Sequence, residues 1–215
     1  MATELEIALD LLEHDAGPPD PLPATDGWEL VLRENVAYLV DDATRDRCME
    51  ALRRQVGLDP ESILAARPGQ LEGVVAGMRP LDRVERLLRC AELRTAGAPW
   101  RSYPGIGRPG VERIELFEGV RAVLALDSNA ARVLYRLGYG ERLSGYDAAY
   151  RSIQHAAAAE LSATMADLQR AHQLLRRHGR TMCTRTRPGC GDCPLTARCP
   201  ALRGDRPIAD PFAKP

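Results

Sequence analysis

Four of the chain's six cysteines crowd together near its C-terminal end as Cys183-x6-Cys190-x2-Cys193-x5-Cys199. The N-terminal stretch is acidic where a signal peptide needs basic residues, so the chain reads as cytoplasmic, and clustered cytoplasmic thiols serve as ligands to a soft metal centre rather than as disulfides. The loop Thr184-Arg185-Thr186-Arg187-Pro188-Gly189 is short and turn-rich, which lets all four sulfurs converge on one point. Four-cysteine zinc sites usually pair two Cys-x2-Cys hooks across a longer spacer, and only one hook is present here. Zinc is therefore the chemical rival, and an iron-sulfur cluster is what four thiolates suit better. Cys48 and Cys90 fall on apolar helical faces and are expected in the core.

The net charge of −1 over 215 residues argues against a purely electrostatic polyanion binder, but the sum hides an asymmetry along the chain. Eight acids and no Lys or Arg stand between Met1 and Leu30. Between Leu161 and Arg206 stand nine arginines (Arg170, Arg176, Arg177, Arg180, Arg185, Arg187, Arg198, Arg203 and Arg206) against Asp167, Asp192 and Asp205. Folded onto one surface, they would face a polyanion; otherwise they form a solvated arginine-rich face. The single lysine is Lys214. No apolar run approaches the roughly 18 residues that would cross a bilayer, so no membrane partner is expected.

Apolar spacing predicts many short helices: Glu4 to Glu13, Trp28 to Leu39, Ala43 to Val56, one starting at Asp59-Pro60, Gln70 to Ala76, Leu81 to Leu93, Val111 to Ala125, Ser128 to Leu137 and Gln154 to Arg177. Strand alternation is absent, so the fold class is all-α, with a disordered tail from about Gly204.

Two further motifs carry chemistry. Tyr103-Pro104-Gly105-Ile106-Gly107-Arg108 is a tight turn between helices, whose glycines let the chain double back and aim the next helix's first N–H groups at a phosphate. Eighteen residues beyond Pro109 comes Leu126-Asp127-Ser128-Asn129-Ala130-Ala131-Arg132-Val133. Asp127 by itself reads as a helix N-cap. Its spacing after the hairpin resembles that of the catalytic aspartate of the endonuclease III superfamily, and this resemblance, with the cysteines, implies a carboxylate that stabilises positive charge on a sugar while its glycosidic bond breaks.

From about Trp28 to Leu202 the chain resembles the endonuclease III and adenine-DNA glycosylase superfamily. The likeness is carried by His178-Gly179-Arg180, by Cys183 through Leu195, by the hairpin, and by the spacing to Asp127. It implies a helix-hairpin-helix glycosylase fold: a six-helix barrel module over residues 23–121, an iron-sulfur module from residues 1–22 and 122–206, a tail at 207–215, and a DNA cleft between the modules. It further implies a 4Fe-4S cluster on Cys183, Cys190, Cys193 and Cys199, with hairpin contacts to double-stranded DNA through Gly105, Ile106, Gly107 and Arg108. Arg185 and Arg187 join these contacts from the cysteine loop. Met78, in the Gly77-Met78 turn, or Leu39 and Val40, would wedge into the stack where a damaged or mismatched base has left, although Leu39 and Val40 also suit core packing.

Lyase-active relatives carry a lysine directly after the hairpin arginine; this chain has Pro109 there, which implies a monofunctional glycosylase that leaves an abasic site, and a monomer associated with the nucleoid is expected. Leu32-Arg33-Glu34 matches the register of a glutamate that protonates a purine leaving group. As a neutral acid of raised pKa, Glu34 would make a purine or alkylated base the preferred substrate; as an exposed helical glutamate it would not. The chain ends soon after its cysteines, without the added domain of adenine-DNA glycosylases. Trp100 and Tyr103, in a short connection before the hairpin, are expected to alter the pocket wall. The alternatives are a pyrimidine glycosylase acting on uracil, thymine or an oxidised pyrimidine, and a catalytically silent iron-sulfur DNA-binding protein.

Overall fold

The computed structural model describes residues 1–19, 26–208 and 210–212. The module boundary expected near Pro23 and the lone Lys214 lie outside them. In chain order the helices are α1 (Glu4–Ala16), α2 (Gly27–Val36), α3 (Asp42–Gln55), α4 (Pro60–Ala65), α5 (Pro68–Glu72), α6 (Pro80–Thr95), α7 (Arg108–Phe117), α8 (Ser128–Arg136), α9 (Tyr146–Ala158) and α10 (Met165–Thr181). Two two-residue strands, β1 (Ala37–Tyr38) and β2 (Ala76–Gly77), are the only departure from the all-α expectation among the described residues. No described helix is long and apolar enough to cross a membrane. The chain divides into two units, Leu22–Glu118 on the one hand and Met1–Pro21 with Gly119–Pro215 on the other.

In the unit from Leu22 to Glu118, α2 is the central helix. Asp26 caps it through hydrogen bonds from the Trp28 and Glu29 N–H groups, and Trp28, Leu30, Val31, Leu32 and Val36 are buried nearly all round it, as befits a helix enclosed by its neighbours. Leu52 from α3, Ile63 from α4, Leu87 and Cys90 from α6 and Ile114 from α7 complete this core. Cys48 is buried there too. The helix expected to reach Leu39 stops at Val36, because Ala37 and Tyr38 pair in parallel with Ala76 and Gly77. Pro68, expected to end a helix, instead begins α5, where its missing N–H costs nothing.

In the other unit, Thr3 and Glu6 form a reciprocal capping box that starts α1. The acids of α1 meet arginines of the same unit: Arg170 bonds Asp10 at 2.8 Å and also reaches Glu13, and Arg198 pairs with Glu4 at 2.6 Å. Part of the expected polyanion-facing charge is thus used within the fold. Two expected helices are shorter than their apolar runs. The first stops at Phe117, before Gly119 at φ 73°, and an extended segment carries the chain to Asp127. The second is two helices, since α9 ends at Ala158 and Thr164 caps a new start by accepting the Asp167 N–H at 3.2 Å. The tail expected to be disordered from Gly204 is packed as far as Phe212: Arg206 donates to the Tyr135 carbonyl at 3.0 Å and lies over the Tyr135 ring, and Phe212 stacks on Tyr146 with centroids 4.4 Å apart.

Gly77 is fixed by space and by backbone conformation together. A Cβ there would stand 1.9 Å from the Tyr38 carbonyl oxygen, and its φ is 90°. Gly77→Ala is expected to destabilise the protein by about 2 kcal/mol, the scale of overpacking plus backbone strain, seen as a lower urea midpoint with an unchanged slope.

Candidate functional site

Asp127 stands at the end of an extended segment whose backbone is fastened by side chains from two helices. Gln154 of α9 donates to the Leu124 carbonyl at 2.8 Å, the His172 Nδ1 of α10 lies 2.8 Å from the Ala125 carbonyl, and the Tyr150 hydroxyl accepts the Leu126 N–H at 3.2 Å. Tyr150 and His172 are buried, so the segment cannot drift without opening the core. Asp127 then caps α8: Oδ1 accepts the Asn129 N–H at 2.9 Å and the Ala130 N–H at 2.8 Å. Oδ2 meets the Asn129 side-chain amide at 3.2 Å and the Arg176 Nε at 3.2 Å, with a quarter of the side chain exposed. Burial alone would raise its pKa, but Arg176, the His172 ring and the Ala130 and Asn129 hydrogen bonds outweigh burial and lower it, so the group is a carboxylate at neutral pH. The helix-cap and charged-carboxylate readings of Asp127 are therefore compatible in one side chain.

The cysteines begin two residues past α10. The His178 carbonyl accepts the Met182 and Cys183 N–H groups, Thr184 Oγ1 donates to the Arg187 carbonyl at 2.6 Å, and Thr196 Oγ1 donates to the carbonyls of Cys190 and Cys193. Cys183, Cys190, Cys193 and Cys199 line one depression together with apolar Val133, Leu195 and Ile208. No group of three or more His, Cys, Asp and Glu side chains among the described residues is placed to hold a metal ion. A single zinc bonded at about 2.3 Å to each sulfur would require a tighter gathering. Burial pushes the Cys183 and Cys193 thiols up, opposed at Cys183 by Arg136 and Arg132 and at Cys193 by the Leu195 N–H. Burial also lowers His178 to about 4, so its ring, 3.6 Å from the Cys193 sulfur, is neutral.

Arg132 and Arg136 of α8 are buried in this region. Arg132 donates to the Asn129 side chain at 3.0 Å and to the Gly179 and Cys183 carbonyls. Arg136 reaches the Cys183 sulfur at 3.2 Å and the carbonyls of Cys183, Thr184, Arg185 and Ile208. Neither guanidinium has a carboxylate at ion-pair distance among the described residues, and the Arg136 Nε is buried without a partner. Gly179 permits the close crossing of α8 and α10, since a Cβ there would lie 2.6 Å from the Asn129 carbonyl oxygen. Of the loop arginines, Arg185 holds Asp210 at 2.9 Å, and Arg187 is exposed.

In the unit from Leu22 to Glu118, the hairpin turns at Gly105, φ 75°, and α7 begins after Gly107 with no side-chain cap. Gly105, Gly107 and Arg108 are exposed while Ile106 is buried as the turn's anchor. Asn35, fully buried in α2, ties the turn down by donating to the Pro104 carbonyl at 2.9 Å and to the Val31 carbonyl at 3.0 Å. The Trp100 and Tyr103 rings lie 5.3 Å apart, tilted by 46°, with Tyr103 buried. Leu39 and Met78 are exposed, 68% and 56%, beside the β1–β2 pair, with Leu39 and Arg79 both at positive φ. Val40 packs against the core, as one of its two readings had it.

Glu34 lies 2.8 Å from Arg113 and 3.7 Å from Arg45. Asn35, Tyr150, His172 and Arg176 were not singled out by sequence. Only Asn35 left a trace there, as an uncharged polar residue inside an otherwise apolar helical run.

No protein-family model and no curated protein sequence matches the chain. Solved structures do. A trapped covalent intermediate of endonuclease III with DNA superposes with a TM-score of 0.74 at 19% identity, covering 95% of this chain and 99% of that one. A non-covalent endonuclease III–DNA complex gives 0.74 at 18% identity, covering 95% and 99%. A thermostable thymine-DNA glycosylase gives 0.72 at 14% identity, covering 93% and 95%. The helices of this chain thus follow the fold shared by endonuclease III and that thymine-DNA glycosylase.

Proposed function

We propose that the protein is a monofunctional DNA glycosylase of base excision repair, hydrolysing the N-glycosidic bond of a nucleotide extruded from damaged or mismatched double-stranded DNA. The observation that carries this reading is Asp127: a carboxylate held ionised at the tip of a fastened segment, in a fold shared with endonuclease III in its DNA complexes and with the thymine-DNA glycosylase. As the glycosidic bond breaks, positive charge grows on the sugar, and a fixed negative charge beside it lowers the barrier. Oδ1 is committed to the start of α8, so Oδ2 is the oxygen that faces the reaction. The hairpin residues Gly105, Ile106, Gly107 and Arg108 present first-turn amides and a guanidinium to backbone phosphate. Leu39 and Met78 fill the gap left by the extruded base.

Pro109, at the second position of α7, has neither an amine nor an N–H, so no Schiff base can form where lyase-active enzymes place lysine. Asp127→Asn, which keeps the helix cap, is expected to lower base release at least about 100-fold while the protein still folds, at a melting temperature reduced only by the loss of the ion pair with Arg176. Borohydride should trap no covalent complex on abasic DNA, and efficient trapping would overturn the monofunctional reading.

The four cysteines fit a 4Fe-4S cluster. The four sulfurs line one depression beside the buried guanidiniums of Arg132 and Arg136, a setting that favours anionic thiolate ligands. When bound, the cluster pins the loop from Cys183 to Cys199 by iron–sulfur bonds. Purified protein is expected to be brown, with absorbance near roughly 400 nm and iron rather than zinc by elemental analysis.

On substrate, Glu34 favours the pyrimidine reading over the purine one. A glutamate held between Arg113 and Arg45 is suited to positioning and not to protonating a leaving purine. Glu34→Gln is expected to stay within about threefold of wild type on whichever lesion is cut, whereas a loss of about 100-fold would return the purine reading.

A further inference from the structure

α10 sends two side chains, one turn apart, toward the segment that carries Asp127. The first, His172, is buried, stands 2.8 Å from the Ala125 carbonyl and adds to the electrostatic lowering of the Asp127 pKa. The second, Arg176, puts its Nε 3.2 Å from Asp127 Oδ2 and keeps just under a third of its side chain exposed. The two backbone N–H groups on Oδ1 cannot leave without unwinding α8, whereas the groups on Oδ2 are both side chains, Asn129 and Arg176.

We propose that Arg176 is the positioning residue for Asp127, holding the carboxylate ionised and fixing the aim of Oδ2. This rests on the glycosylase reading of Asp127 and refines it. A carboxylate so paired is a poor proton carrier and a good fixed charge, so Asp127 acts mainly by stabilising the cationic sugar, and base release persists at acid pH. The groups facing Asp127 are Asn129 and Arg132 from α8, His172 and Arg176 from α10, and Tyr146 from α9, whose phenol burial and then the Asp127 and Asp210 carboxylates push up to about 12. Of these, Tyr146 is neutral, His172 is held by a carbonyl and Arg132 is turned to Asn129, Gly179 and Cys183. Arg176 is the cation in ion-pair contact with Oδ2. A depressed carboxylate pKa puts the acid limb of activity below the ordinary value near 3.8, and removing the guanidinium moves that limb up.

The test is the single-turnover rate of base release against pH, with holoprotein of wild type, Arg176→Gln and Arg176→Lys. Arg176→Gln is expected to shift the acid limb upward by about one pH unit or more, and Arg176→Lys to restore most of the shift. A uniform loss at every pH with no displaced limb, as a merely structural role would give, overturns the proposal. Should the wild type release no base from any lesion, the glycosylase reading fails, and a second measurement still decides the pairing: a double-mutant cycle of Asp127→Asn and Arg176→Gln on the urea midpoint at pH 7. A coupling that shrinks in 1 M salt supports the pair, and zero coupling overturns it.

Discussion

Two arginines on one short helix have no carboxylate at ion-pair distance among the described residues, and the arrangement around Asp127 and the cysteines depends on how they are satisfied. Arg132 and Arg136, one turn apart on α8, are desolvated, a costly state for a guanidinium unless donors and charge are matched. They are met by carbonyl oxygens that the chain turns inward: Gly179 from α10, Cys183, Thr184 and Arg185 from the cysteine loop, and Ile208 from the C-terminal segment. Each of those carbonyls belongs to irregular backbone or a helix end, where an acceptor is left over. The guanidiniums therefore do for the loop what a ladder of backbone bonds does for a sheet. Deleting either cation would leave several acceptors buried at once, so these positions tolerate lysine poorly, since an ammonium lacks the fork that reaches acceptors on both sides.

The same helix joins the cysteines to the carboxylate through continuous bonding. Asp127 meets Asn129, Asn129 meets Arg132, and Arg132 meets the Cys183 carbonyl. With Gly179 allowing α10 to approach α8, Arg176 arrives on the second carboxylate oxygen. Fixing the cysteine loop thus limits the motion of α8, and the cap of α8 is Asp127 itself. A bound cluster would act on the carboxylate as an anchor several bonds away, through rigidity rather than through any contact with the reacting sugar.

What the sequence discloses, and what it withholds, follows from the range of the interactions. The caps at Asp59 and Asp127, the burial of Cys48 and Cys90, and the crowding of four thiols are short-range features, and they were legible. The break between α9 and α10 was not, because alanines run up to it and nothing but Thr164 marks the restart. Nor were the contacts of Arg206 with Tyr135 and of Phe212 with Tyr146, whose partners are distant in sequence. The register fixed the place of Glu34 on α2 but could not show that Arg113 of α7 lies 2.8 Å from it. Arg176 looked like one of nine arginines on a solvated face until α10 was set against the segment before α8.

Under the proposed function Asp127 would serve a helix and a reaction with different oxygens, and this division would let a catalytic carboxylate sit at a helix start without weakening it. An N-cap is worth about 1 kcal/mol and needs one acceptor oxygen in the right place, charged or not. Stabilising a cationic sugar needs net charge and a second, aimed oxygen. Asparagine meets the first demand and fails the second; serine would meet the first from a shorter arm. The aspartate is the residue that does both, and the cost of its partial burial is met by donors that the cap, Asn129 and Arg176 already supply. Stability and chemistry therefore select the same side chain here while remaining separable by a single oxygen-to-nitrogen exchange.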